Sequence, residues 1–210
     1  MGTEPTVFVV DDDEAVRKAM VLLLHSVDMK VETYASAEGF LEGYQASRPG
    51  CLVLDVRMPG TSGLALQDML AARGIDIPII FITGHGDVPT SVRAMRAHAL
   101  DFLEKPFNDQ DLLDRINEAI ERDARTRGER AETAEIAARI GSLTRREREI
   151  MQLLVDGKSS KVMAGELNIS EKTVQIHRAR VMEKMQARSV AALVRMVLKG
   201  EMGHGVRRSL

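Results

Sequence analysis

Asp11, Asp12, Asp55, Thr83 and Lys105 are the residue types that could hold a metal ion and accept a phosphoryl group. Carboxylates crowded together repel one another, so a cluster of Asp11, Asp12 and Asp55 calls for a cation. Mg²⁺ (or Mn²⁺) takes hard oxygens and usually only one or two protein carboxylates. Asp55, at the end of the apolar run CLVL, is the natural nucleophile, because a carboxylate can form an acyl phosphate. The metal would neutralise the incoming oxygens, Lys105 would pair with them as a point charge, and Thr83 would donate a hydroxyl hydrogen bond. A second set lies in the last third of the chain: Lys161, Lys172, Thr173, Gln175, Ile176, Arg178, Ala179 and Arg180. Gln can read adenine and Arg guanine in the major groove of DNA, while Lys near helix ends holds phosphates.

The elements that must position the first set alternate between strands and helices. Strands are predicted at Thr6–Val10, Lys30–Tyr34, Cys51–Leu54, Pro78–Ile82 and Leu100–Leu103. Helices are predicted at Glu14–Ser26, Ala37–Ser47, Gly63–Arg73, Pro89–His98 and Asp109–Arg122. TVFVV, CLVL and IPIIFI are unbroken apolar runs, as parallel strands covered on both faces require. Five βα units in about 120 residues make an α/β doubly wound, five-stranded parallel sheet, in which ligands sit at the carboxyl ends of the strands. Asp11-Asp12-Asp13, Asp55, Thr83 and Lys105-Pro106 all fall at such ends. Alone, each piece has a plainer reading: an acidic triplet is usually a solvated loop, Lys-Pro a turn, Phe102 and Cys51 core, His85 a loop residue. Their convergence on one sheet edge is what carries the reading.

Residues 123–141 are rich in Ala, Glu and Arg and read as a helical linker continuing the last helix, with Gly128 its weak point; a disordered tether is the alternative. Residues 142–200 read as an all-α domain of four short helices. Thr144 with Glu147 forms a capping box for Arg145–Val155, which presents Ile150, Leu153 and Leu154. Ser160–Leu167 turns Val162, Met163 and Leu167 inward. Asn168-Ile169-Ser170 makes the turn to a helix capped by Ser170, and Val190–Lys199 is the fourth. Two short helices and a tight turn, the second helix bearing polar and basic residues outward, are what a helix-turn-helix needs. Residues 201–210 read as a flexible tail.

VVDDDE, LDVRMPGTSGL, FITGHGD and FLEKPF resemble, in order and spacing, the receiver domains of two-component response regulators, over residues 5–122. LTRREREIMQLL, GKSSKVMAGEL and ISEKTVQIHRARVMEKM resemble the LuxR-type DNA-binding domain of the FixJ/NarL class, over residues 143–199. Ser160 departs from that pattern, which usually has Asn, and Gly165 reads as an exposed, undemanding position. The first resemblance implies that residues 1–122 are a receiver phosphorylated on Asp55 by a partner histidine kinase. It implies Mg²⁺ ligation by Asp12, Asp55 and the backbone carbonyl of Arg57 with Asp11 nearby, a switch pair Thr83 and Phe102, and Lys105 with a cis-forming Pro106 on the phosphate. Arg57 and His85 would modulate hydrolysis. The surface of Pro89–His98, with Val92, Ala99 and the following helix, resembles the face on which receivers of this family pair. The expected outcome is a homodimer on phosphorylation, with Val190–Lys199 as a second contact and two basic domains on a two-fold DNA site. Release of a covered recognition helix is the alternative.

Charge agrees with this division. Residues 1–121 carry 10 Lys/Arg against 20 Asp/Glu, and residues 142–210 carry 14 against 7, an acidic control module beside an anion-binding one. All five Phe and both Tyr lie at or before Phe107. Without aromatic platforms the basic part suits double-stranded DNA and not single-stranded RNA. One cysteine excludes an internal disulfide and a cysteine metal cluster. No apolar run nears the roughly 20 residues of a membrane helix, and the N-terminus lacks a basic start, so the expected location is cytoplasmic. A phosphatase passing through an aspartyl phosphate would need a general acid two residues after Asp55; Arg57 stands there, so no enzyme is expected. A protein-interaction module that has lost DNA binding is a third reading, which a gel shift separates from the first.

Overall fold

The computed structural model describes residues 4–84 and 100–200, and the backbone alone of residues 201–205. The chain divides into two compact units after Thr126. In the first, β1 (Thr6–Val10), α1 (Glu14–Ser26), β2 (Lys30–Tyr34), α2 (Ala37–Gly43), β3 (Gly50–Asp55), α3 (Gly63–Ala72), β4 (Ile79–Thr83) and β5 (Asp101–Glu104) follow one another. The five strands are all parallel, in the order β2-β1-β3-β4-β5. The predicted helix Pro89–His98, with His85, Val92 and Ala99, lies outside the described residues.

Alternation along the buried strands makes two cores. Phe8, Val10, Leu52, Leu54 and Phe81 face Phe40 of α2 and Leu66 and Leu70 of α3. Val7, Val9, Cys51, Val53, Ile80 and Ile82 face Met20 and Leu24 of α1 together with Leu112, Ile116 and Ala119. Cys51 is packing, as expected; burial pushes its thiol up to about 12. The second predicted helix is shorter than Ala37–Ser47. At Tyr44 the backbone turns extended because the ring stacks on Phe40, 4.9 Å between centroids, and meets Phe8 edge-on at 5.1 Å. Gly43 fits beneath Tyr34, where an added Cβ would lie 2.9 Å from the ring.

α4 (Asp109–Gly141) runs unbroken through Gly128, and the unit boundary falls inside it. Its first part covers the sheet, and buried Asp123 accepts a hydrogen bond from the Gly50 N–H at 2.9 Å. Its last part belongs to the second unit: Ile136 is buried there and Ile140 packs on the core. These two residues, read as linker, are core because they recur one turn apart on the same face.

The rest of the second unit is α5 (Arg145–Val155), α6 (Ser160–Leu167), α7 (Glu171–Lys184) and α8 (Val190–Gly205). Its core gathers Ile150, Leu154, Met163, Val174, Val181, Met185, Leu193 and Val197. Val162, predicted inward, is 43% exposed; the eight-residue α6 turns its inner face through Met163, leaving the neighbouring position outside. Helix α8 does not stop at Lys199. Gly200 lies so close to Ile136 that a Cβ would come within 3.2 Å of its Cγ2, and the helix continues to Gly205, taking half of the predicted flexible tail. Residues 206–210 lie outside the described residues.

Glu147 completes the capping box with Thr144 and also binds Lys184 Nζ at 2.7 Å, its own side chain being 3% exposed. The Lys184 ammonium, then the Thr144 N–H, push its carboxyl down from 4.5 to about 2. A folded value below the unfolded one means that this contact stabilises fully above pH about 4.5 and loses its contribution as pH falls towards 2. In a carboxyl NMR titration Glu147 should have its midpoint near 2, and Lys184→Met should move it back up towards the ordinary range.

Candidate functional site

Strand register decides which acidic groups meet. β1 and β3 pair from Thr6 with Gly50 to Val10 with Leu54, so Asp11 and Asp55, the next residues, leave one sheet edge side by side. Asp55 in turn pairs with Ile82, and Thr83 with Glu104, which brings Thr83 and Lys105 to the same edge. Between β1 and β3 the strand order reverses, the connections leave to opposite faces, and a crevice opens.

In that crevice Lys105 Nζ donates to Asp11 Oδ2 at 2.8 Å and to Asp55 Oδ1 at 3.0 Å. The other oxygens are held by the backbone: Asp11 Oδ1 accepts from the Asp13 N–H at 2.8 Å, and Asp55 Oδ2 from the Arg57 N–H at 2.7 Å. Both carboxylates are nearly buried. Burial pushes the Asp55 carboxyl above its ordinary value, against the pull of Lys105, and the charge of Asp11 adds to the rise. Burial also opposes the charge on Lys105, but its hydrogen bonds to the two carboxylates outweigh that and hold the ammonium above its ordinary value. Lys105 is fixed from behind, since its N–H donates to the Thr83 carbonyl at 2.7 Å; the peptide bond to Pro106 is cis. Thr83 is buried, and Phe102 is half-buried against the core on the α2–α3 side.

The acidic triplet divides into three tasks. Asp11 joins Lys105, Asp12 is exposed, and Asp13 caps α1 by accepting from the Ala15 N–H at 2.8 Å. Arg17, which sequence reasoning missed, braces the loop: its Nη1 donates to the carbonyls of Asp11 at 2.7 Å and Asp12 at 2.9 Å. Its place one turn past a capped start is the signal that would have found it. Among the described residues no three His, Cys, Asp or Glu side chains are gathered as a metal centre. The donor set nonetheless suits a hard cation, since two hard-oxygen carboxylates already converge on one positive charge.

In the second unit, Ser159 caps α6 and Ser170 caps α7. The turn between them is made by Asn168, left-handed at φ 52°, and Arg146 Nη2 holds it through the Leu167 carbonyl at 2.8 Å. Val174 and Val181 bury one face of α7. Lys172, Gln175, Ile176, Ala179 and Arg180 are exposed, as is Lys161 on α6, while Arg178 is half-buried. The Thr173 hydroxyl is engaged with Ser170 at 2.8 Å. A Cβ at Gly165 would meet nothing within 4 Å, consistent with an undemanding position.

Two family models match: the response regulator receiver domain over residues 7–117, and the luxR family of bacterial regulatory proteins over residues 141–197. Nodulation protein W of Bradyrhizobium diazoefficiens is 47% identical over 195 residues, covering 93% of this chain and 86% of that protein. Transcriptional regulatory protein FixJ of Azorhizobium caulinodans is 44% identical over 192 residues, covering 91% of each. The chain belongs to the FixJ class of response regulators. Among solved structures, response regulator StyR matches this FixJ-class chain with a TM-score of 0.88 at 48% identity, over 94% of this chain and 100% of that one. Full-length FixJ from B. japonicum matches with 0.57 at 42% identity, over 95% and 98%. This FixJ-class protein is thus a DNA-binding two-component response regulator, of a family of transcriptional regulators rather than enzymes. Among the described residues no helix is long and apolar enough to cross a membrane.

Lys105→Met leaves two nearly buried carboxylates facing each other. It should cost about 3 kcal/mol of receiver stability at neutral pH, and less as pH is lowered, because burial and the charge of Asp11 hold the Asp55 carboxyl above its ordinary value. Denaturant unfolding at neutral and lower pH checks this; adding Asp55→Asn to Lys105→Met should recover part of the loss.

Proposed function

We propose that this regulator is switched by transfer of a phosphoryl group from a partner histidine kinase to Asp55, and that the phosphorylated chain binds a two-fold site on double-stranded DNA as a homodimer. The observation that supports it most is the meeting of Asp55 and Asp11, 50 and 94 residues before Lys105 in sequence, on the Lys105 ammonium at the switch point of the sheet. Asp55 is the acceptor, because its carboxylate stands at the centre of that edge. Asp12, Asp55 and the Arg57 carbonyl, with Asp11 beside them, would hold Mg²⁺ or Mn²⁺, which supplies positive charge against the phosphoryl oxygens. Lys105 exchanges its carboxylate partners for a phosphoryl oxygen, and Thr83 donates its hydroxyl to another. Phe102, half-buried at the adjoining strand, follows Thr83 as the second member of the switch. Lys105 also lines a cleft of about 300 Å³ with Val16, Met20, Leu23, Pro106 and Phe107.

In the second unit, Gln175, Ile176, Arg178 and Ala179 are the base-facing residues of α7, with Lys161, Lys172, Thr173 and Arg180 towards phosphates. Leu198, 48% exposed, and Val190, 37% exposed, leave α8 an apolar face for a second copy. Two linked half-site contacts, each weak, then act together on one DNA.

Incubation with acetyl phosphate and Mg²⁺ should add one phosphate by intact mass and move the sedimenting species from monomer to dimer. Asp55→Asn should abolish both, and labelling that persists in it rules out Asp55. Arg178→Ala should cost about 1–3 kcal/mol in binding and relax preference at one base pair, whereas Lys172→Ala should weaken all duplexes alike and flatten the salt dependence. Selection from a randomised duplex library, followed by affinity measurements at several salt concentrations, separates the two effects.

A further inference from the structure

Ser160 stands at the first position of α6, half-buried, and its hydroxyl is not needed to cap that helix. Ser159 does so, accepting from the Val162 N–H at 3.4 Å. Ser160 Oγ instead accepts two hydrogen bonds from across the turn, from Arg178 Nη1 at 2.7 Å and from Gln175 Nε2 at 3.0 Å. A serine oxygen has two lone pairs, and both are taken. The bond from Arg178 is the short, charge-assisted kind.

Gln175 and Arg178 lie three residues apart on α7, so their side chains emerge one above the other. Tied to one oxygen, two long side chains with many rotamers are held in a single arrangement before any partner arrives. Side chains ordered in advance lose less freedom on binding, and a fixed geometry separates right from wrong partners more sharply than a loose one.

We propose that Ser160 is a specificity-determining positioning residue, whose hydroxyl sets Gln175 and Arg178 in the conformation in which they meet the bases. It rests on the assignment of those two as base readers. The residue that opens the first helix of the motif thereby takes part in deciding which base pairs the second helix selects. Asn, usual at this position in the resembling domains, would carry its acceptor on a longer arm and add a donor, so Ser160 gives the pair a different setting.

The experiment uses the full-length protein treated with acetyl phosphate and Mg²⁺, a randomised duplex DNA library, and then the most enriched duplex as the binding probe. Ser160→Thr keeps the hydroxyl; Ser160→Val has nearly the same shape and lacks it. Val should lower affinity for the enriched duplex by about fivefold and flatten preference at the base pairs that Gln175 and Arg178 read, and Thr should restore both. All three proteins should unfold at the same temperature, because the lost bonds are made near the surface and water replaces them. Ser160→Val added to Gln175→Ala/Arg178→Ala should have no further effect on preference. If Val and Thr select the same sequences as Ser160 while Arg178→Ala relaxes selection, the positioning role is overturned and the base readers stand. If Arg178→Ala and Gln175→Ala leave selection unchanged, the assignment of the readers falls, and this inference with it.

Discussion

One ammonium group between two buried carboxylates organises the receiver's functional edge. Asp11 and Asp55 come from adjacent strands, and both reach the one Lys105 ammonium, at 2.8 and 3.0 Å. That arrangement is possible only because the sheet is parallel and its register is tight. A slip of one residue would point each functional group to the opposite face of the sheet. The two cores that hold the register are therefore as much a part of the site as its polar groups. Cys51, Val53, Leu52 and Leu54 are buried on both sides of β3 so that Asp55 ends at one place. The same low-dielectric surroundings that raise the Asp55 carboxyl strengthen its hydrogen bond to Lys105.

The second unit solves a different problem with fewer means. It has no aromatic residue, and its core is built from Leu, Ile, Val and Met on short helices. Local polar contacts compensate. Thr144, Ser159 and Ser170 each accept from a backbone N–H in the first turn of their helix, and Glu147 ties the start of α5 to the end of α7 through Lys184. Arg146 holds the turn of the motif by a backbone carbonyl. These contacts fix the direction of α7, and direction is what a helix entering a groove must have right. Ser160 extends the same device outward, from backbone to the Gln175 and Arg178 side chains of α7.

Much of this was legible in the chain itself, and the reason is periodicity. Runs such as TVFVV and CLVL announce strands buried on both faces, and the acidic or polar residue that ends each run marks a sheet edge. Thr144-x-x-Glu147 and Ser170 announce helix starts because capping is a local interaction between residues three apart. Less legible were lengths that depend on distant partners. α2 ends early because Tyr44 stacks on Phe40 and meets Phe8, and α8 runs past Lys199 where Gly200 approaches Ile136, a residue more than 60 positions away. Residues 123–141 read as a linker because they are rich in Ala, Glu and Arg with few core-forming side chains, and nothing local says that Ile136 has a core to join.

Residue type and order alone established two modules, a parallel sheet with Asp11, Asp55, Thr83 and Lys105 at its carboxyl edge, and a helix-turn-helix with Gln175 and Arg178 outward. Local propensity, hydrophobic period and topology rules suffice for that, since each depends on neighbours in sequence or on the handedness of βα connections. Pairings between side chains far apart in the chain required the folded molecule. An Asp13 that caps while Asp11 binds Lys105, an Arg17 that braces both loop carbonyls, an Asp123 buried against Gly50, and a Ser160 that gathers two α7 side chains all depend on distances of a few ångströms between segments brought together by packing. Hydrogen bonds fail beyond about 3.5 Å, and no pattern along a sequence resolves positions that finely.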